Sequence, residues 1–84
     1  MPKKSDKTTT TRILLSSGGE LAVYCSGRDA VALTLNDVDD TGKIVQIAAA
    51  MRHGSGWRET FGPKGWTAEM APRARRTLGR EVRI

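Results

Sequence analysis

The apolar residues of this chain come in short runs fenced by glycine-bearing turns. Ile13-Leu14-Leu15 ends at Ser16-Ser17-Gly18-Gly19-Glu20, and Leu21-Ala22-Val23-Tyr24-Cys25 ends at Ser26-Gly27-Arg28-Asp29. Ala30-Val31-Ala32-Leu33-Thr34-Leu35 ends at an acidic stretch from Asn36 to Gly42. β-Branched and aromatic residues between such turns read as strands. Gly18-Gly19 permits positive φ at both central positions of a two-residue hairpin loop.

Two-residue loops would set the register. Ile13 would face Tyr24 and then Val31, while Leu15 would face Ala22 and then Leu33. Side chains alternate across a sheet. One face would carry Ile13, Leu15, Ala22, Tyr24, Val31, Leu33 and Leu35 and form the core. The other would carry Leu14, Leu21, Val23, Cys25, Ala30, Ala32 and Thr34, which is unusually apolar for a solvent face. A slip of one residue exchanges the two faces, so this reading depends on the turn types.

Past Gly42, Ile44, Ile47, Ala48 and Met51 recur at helical spacing, and Ala48-Ala49-Ala50 favours helix. Asp39, Asp40 or Thr41 can cap its start, and Arg52 and His53 precede a stop at Gly54. This predicts a helix over 41–53. The competing reading is a hairpin, because Asp40-Thr41-Gly42-Lys43 is also a good turn and Lys43–Ile47 could be a strand. The alanine run decides for the helix. Gly54-Ser55-Gly56 reads as a joint. Trp57 to Phe61, Gly62-Pro63-Lys64-Gly65 and Trp66 to Met70 read as a second hairpin, with Phe61 opposite Trp66 and Trp57 opposite Met70. Pro72 suits the first turn of a short helix ending near Leu78, and Arg80 to Ile84 alternates like a final strand. The fold expected is α+β: a three-stranded antiparallel β-meander packed on one amphipathic α-helix, followed by a hairpin and a short Arg-rich C-terminal helix. Residues 1–11 are expected to be a disordered basic, Thr-rich tail, and residues 12–84 a single small domain.

With 84 residues the core is thin, since a domain this small hides only about 60% of its unfolded surface. No apolar run approaches the ~20 residues of a membrane-spanning helix, and the N-terminus lacks the apolar stretch of a signal peptide. One Cys cannot form an internal disulfide, which fits a reducing cytoplasm. One His and one Cys are too few for a structural zinc site. No cofactor is expected.

The net charge of +5 is unevenly spread. Residues 1–12 carry +3, residues 13–51 carry −3 and residues 52–84 carry +5. The C-terminal bases are Arg52, Arg58, Lys64, Arg73, Arg75, Arg76, Arg80 and Arg83. On a helix Arg73, Arg76 and Arg80 fall near one face, with Arg75 alongside. The planar guanidinium suits phosphate, and Arg on phosphates supplies affinity without sequence information. The alternative is a solvated helix face docked through Ala74 and Leu78. Trp57 and Trp66 stand among bases, as stacking residues of single-strand binders do. In a chain with four aromatics the same two rings are also needed for a core.

Other candidates have plainer readings. His53 is read as a helix C-terminal residue, and no positioned acid makes a triad of it with Ser55. Cys25 is read as a small buried hydrophobe. Asp37, Asp39 and Asp40 lack the spacing of a calcium loop and are read as turn and capping residues. Neither glycine-rich turn matches a phosphate-binding loop.

The expectation is therefore a small non-enzymatic nucleic-acid-binding protein, for DNA or RNA, with phosphate contacts from the eight C-terminal bases. The alternative is a protein-binding inhibitor or adapter of the phage or mobile-element type, docking on a nucleic-acid-processing or defence complex through the same arginines. The apolar second face (Leu14, Leu21, Val23, Cys25, Ala32) further predicts a homodimer, unless the Trp57–Met70 hairpin folds over it.

Overall fold

The structure is a computed structural model and describes residues 8–84. Five strands, β1 (Thr8–Leu14), β2 (Glu20–Ser26), β3 (Asp29–Val38), β4 (Ile44–His53) and β5 (Gly56–Phe61), are followed by one helix, α1 (Trp66–Leu78). The strands form one antiparallel sheet in chain order. This replaces the three-stranded meander packed on a central helix. The Thr run belongs to β1 from Thr8 onward, and the rest of the tail expected over residues 1–11 lies outside the described residues.

The helix expected over 41–53 is strand β4. Alanine prefers a helix in isolation, yet here Ala48 and Ala50 are buried on the face beneath α1. The small Ala48 side chain leaves room for Gly62 to pass, and burial in the core outweighs a propensity difference of well under ~1 kcal/mol per residue. The β-branched Ile44, Val45 and Ile47 belong in a strand. The turn that could have opened a helix closes the β3–β4 hairpin instead. Asp39 Oδ1 accepts hydrogen bonds from the Thr41 amide at 2.9 Å, the Thr41 hydroxyl at 2.6 Å and the Lys43 amide at 3.0 Å.

The second hairpin is also corrected. β5 pairs with β4, through Arg52↔Trp57 and Ala50↔Glu59, and the chain from Trp66 onward is helical. Trp66, Met70, Ala71, Ala74 and Leu78 carry the helical period, and all five pack into the core or against it. Pro72 lies inside α1 rather than at its first turn. It sits on the exposed side, where the missing amide leaves only a solvent-facing carbonyl unpaired.

The β1–β2 register differs from the expected one. The connection runs from Leu15 to Gly19, closed by Leu15 N–H to Gly19 O at 2.9 Å and Gly18 N–H to Leu15 O at 3.0 Å. Ile13 therefore opposes Leu21, and a β-bulge between Tyr24 and Cys25 shifts β2 against β3 so that Leu21 opposes Leu35. β2 is flipped relative to the two-residue-loop reading. Leu21, Val23 and Cys25 join Ile13, Leu33 and Leu35 on the side covered by α1. Tyr24 turns to the open side, opposite Ala32. The face expected to pair two copies is thus mostly the inside of the domain.

Past Leu78 the chain returns to the start of β3. Arg83 makes a parallel bridge with Asp29: Ala30 N–H donates to Arg83 O at 3.0 Å and Arg83 N–H to Arg28 O at 2.7 Å. This segment lies on the side from which β4 has departed, because β3–β4 pairing stops at Ala32↔Met51. Val82 is buried beneath it.

Candidate nucleic-acid interface

Helix α1 has no side-chain cap of its own at Gly65. Glu59 of β5 supplies one. Its Oε1 accepts from the Gly65 amide at 2.8 Å, and its Oε2 accepts from the Thr67 amide at 2.9 Å and the Thr67 hydroxyl at 2.7 Å. A carboxylate there also meets the positive end of the helix dipole. These donors, led by the Thr67 amide, hold the Glu59 carboxyl below its ordinary pKa. The cap fixes which way α1 rolls on the sheet, and so which side chains it presents.

With Trp66, Ala71 and Ala74 buried, Arg76 points outward, half-buried Arg73 and exposed Arg75 emerge on the two flanks, and Arg80 follows in the turn past Leu78. Glu69 lies one turn before Arg73, at the end where a carboxylate suits the dipole. Arg75 and Arg76 lie in the last turn, facing the negative end. None of these four arginines has an ion pair or side-chain hydrogen bond among the described residues, whose two ion pairs are Arg12–Glu20 and Arg83–Asp29.

The other expected site residues are dispersed. Arg52 is held inside the fold: its guanidinium stacks 4.3 Å from the Trp57 ring centroid and donates to the Ile84 main-chain oxygen at 2.8 Å. Arg83 is tied to Asp29 at 2.8 Å, though both remain exposed. Arg58 points to the open side of the sheet, cross-strand from Met51. Lys64 is exposed in the turn before α1. Trp57 is half-buried beside Arg52. Trp66 is 4% exposed and belongs to the core, with its indole N–H unpartnered.

Sequence reasoning missed Arg28. Its Nη2 donates to the Arg80 carbonyl at 3.2 Å, which places a further base at the C-terminal end of the arginine group. The two residues are 52 positions apart, and no local pattern in the Ser26–Asp29 turn announces the contact.

His53 ends β4 at an exposed turn, not a helix. Cys25 is 1% exposed, and burial raises its thiol pKa, with a further push from Asp29. The described residues bring no three His, Cys, Asp or Glu side chains together as a metal site. They also hold no helix long and apolar enough to cross a membrane. Comparison with protein-family models, curated proteins and solved structures returned no match.

Proposed function

We propose that the protein binds nucleic acid without catalysis, in a reducing cytoplasm, through the outward side of α1. The observation that carries this reading is the group of exposed Arg75, Arg76 and Arg80 with half-buried Arg73 beside them, none engaged by a carboxylate among the described residues. Three guanidinium forks on the helix, with Arg80 in the turn just past it, suit phosphate oxygens spaced along a backbone. Arg28 extends the group, and Lys64 and Arg58 add positive potential from the sheet side. Arg52 and Arg83 serve this surface indirectly, by anchoring the C-terminal segment on Trp57 and Asp29.

Fluorescence anisotropy with short single- and double-stranded DNA and RNA, over a salt series, tests the reading. Binding should fall steeply with salt. Replacing Arg73 and Arg76 together with Gln should reduce the slope of log K against log salt by roughly 1.4–1.8, about 0.7–0.9 for each phosphate no longer neutralised. No binding at low salt to any of the four ligands, or an unchanged slope in the double variant, would overturn it.

A further inference from the structure

The β3–β4 hairpin outruns its neighbours. β2 pairing ends at Asn36 and β5 pairing ends at Ala49. Gly62 then passes against Ala48 and the Ile47 carbonyl before the chain leaves for α1. Ile44, Val45 and Gln46 are left as an edge with no strand beside them on the β5 side among the described residues. Leu14, Val38, Ile44, Val45 and Ile47, five of the eight exposed large hydrophobics, gather at this end, and Ile44 is 61% exposed. A cavity of about 110 Å³ opens here between Leu14, Glu20, Asn36, Val38 and Ile44.

Exposed strand edges invite pairing unless charge, proline or a bulge protects them. The outer edge of β1 carries Arg12, and that of β5 carries Arg58 and Glu59. From Ile44 to Met51, β4 carries no charge.

We propose that Ile44–Gln46 pairs with the same segment of a second copy of this chain, antiparallel, about a two-fold axis through Val45. Residues directly opposite in one sheet share a face, so a self-paired antiparallel edge sets a residue opposite itself or opposite one an even number away. Gly62 closes the Ile47–Ala48 end, which leaves Val45 as the centre. Val45 then opposes Val45, and Ile44 opposes Gln46 on both sides of the axis. The Asp39–Lys43 turn of one copy, net −1 with Asp39 and Asp40 against Lys43, comes end-on to the Gly62–Gly65 turn of the other, which carries Lys64. The same aspartates, with Asp37, repel a polyanion, so this patch is not an extension of the arginine surface. The proposal stands independently of nucleic-acid binding.

Sedimentation equilibrium at micromolar concentration, without nucleic acid, is expected to show a particle of twice the chain mass. Ile44→Lys with Val45→Lys should abolish it, while Val31→Lys, at an exposed apolar position away from this edge, should not. Val45→Cys should give a covalent dimer on mild oxidation. Opposed Cα atoms in an antiparallel pair lie about 4.5–5.5 Å apart, within disulfide range, and Cys25 is buried. A single-chain mass throughout overturns the proposal. So does a dimer that survives the double Lys variant, or one that Val45→Cys fails to cross-link, and this last arm holds even if the Lys variant does not fold.

Discussion

The sheet has one end that is covered and one that is not. Beneath α1, Leu21, Val23, Leu33, Ala48 and Ala50 are fully or almost fully buried. Along the same strands, Val38, Ile44, Val45 and Ile47 stand exposed. The sequence shows no gradient to match, since Ile44-Val45-Gln46-Ile47 is as β-prone as Leu21-Ala22-Val23. The difference is one of reach. A 13-residue helix is about 20 Å long, whereas a 10-residue strand is about 33 Å long. The described residues hold one helix with which to cover two such strands, and the far end of the hairpin is left bare. A hydrophobic strand in a small domain is thus core or contact surface according to where the helix lands.

The strongest test of that contrast substitutes alanine at each end. Leu33→Ala, beneath the helix, should destabilise by about 2–5 kcal/mol through lost burial and the cavity left behind. Ile44→Ala, at the tip, should change chain stability by no more than about 0.5 kcal/mol at concentrations where copies do not associate. Urea unfolding followed by circular dichroism measures both, and equal costs would erase the distinction.

The boundary between the two ends is set at Gly62, and a smaller effect is expected there. Its φ of 111° lies where side chains are rarely found, and an added Cβ would come within 2.5 Å of the Ala48 Cβ. Gly62→Ala should therefore cost roughly 1–3 kcal/mol. It should also loosen β5 and α1 before β1–β3, which hydrogen exchange resolves residue by residue. Uniform loss of protection would show that the covered end does not hinge on this turn.

The smallest effect concerns acid. Glu59 under the helix is held below its ordinary pKa, mainly by the Thr67 and Gly65 amides, and Asp39 at the tip by the Thr41 hydroxyl and the Lys43 amide. A carboxyl whose folded pKa is depressed contributes stability that is present above the usual carboxylate range. That stability is lost as pH falls through the lowered folded value. Both ends should weaken in acid. Glu59→Gln should flatten the acid limb of the melting temperature against pH and selectively fray α1, whereas Asp39→Asn should flatten it without touching the helix. An unchanged profile in both variants would show that neither carboxylate couples folding to pH.

Much of the first half was legible because local chemistry governs it. β2 and β3 between glycine turns follow from β-branched runs and punctuation, and Cys25 reads as buried on its surroundings alone, whereas Thr8–Thr11 of β1 were read as tail. The β2 register was not legible. Gly18-Gly19 is compatible with both a two-residue and a longer loop, and a β-bulge between Tyr24 and Cys25 shifts β2 against β3, so that Leu21 and Val23 join the core stripe in place of Tyr24. At the candidate site, the expected row of Arg73, Arg76 and Arg80 on one helix face is only partly met, since α1 ends at Leu78 before Arg80 and Arg73 is half-buried. The internal anchoring of Arg52 on Trp57 and of Arg83 on Asp29 was not visible, because each depends on where the C-terminal segment docks.

What the amino-acid order determined by itself is therefore narrower: the positions of β2 and β3, and a C-terminal helix that carries Arg73, Arg75 and Arg76. Tertiary structure decided the identity of 44–53 and 66–70, where local preference is weak or misleading. Alanine's helical preference is worth a few tenths of a kcal/mol per residue over its neighbours. Burying an edge of sheet under a helix removes far more apolar surface from water than that. Ala48 and Ala50 became strand because they are buried in one core with Trp66, Ala71 and Ala74, with Gly62 passing close to Ala48, and Trp66–Met70 became helix because that stripe had a sheet to cover.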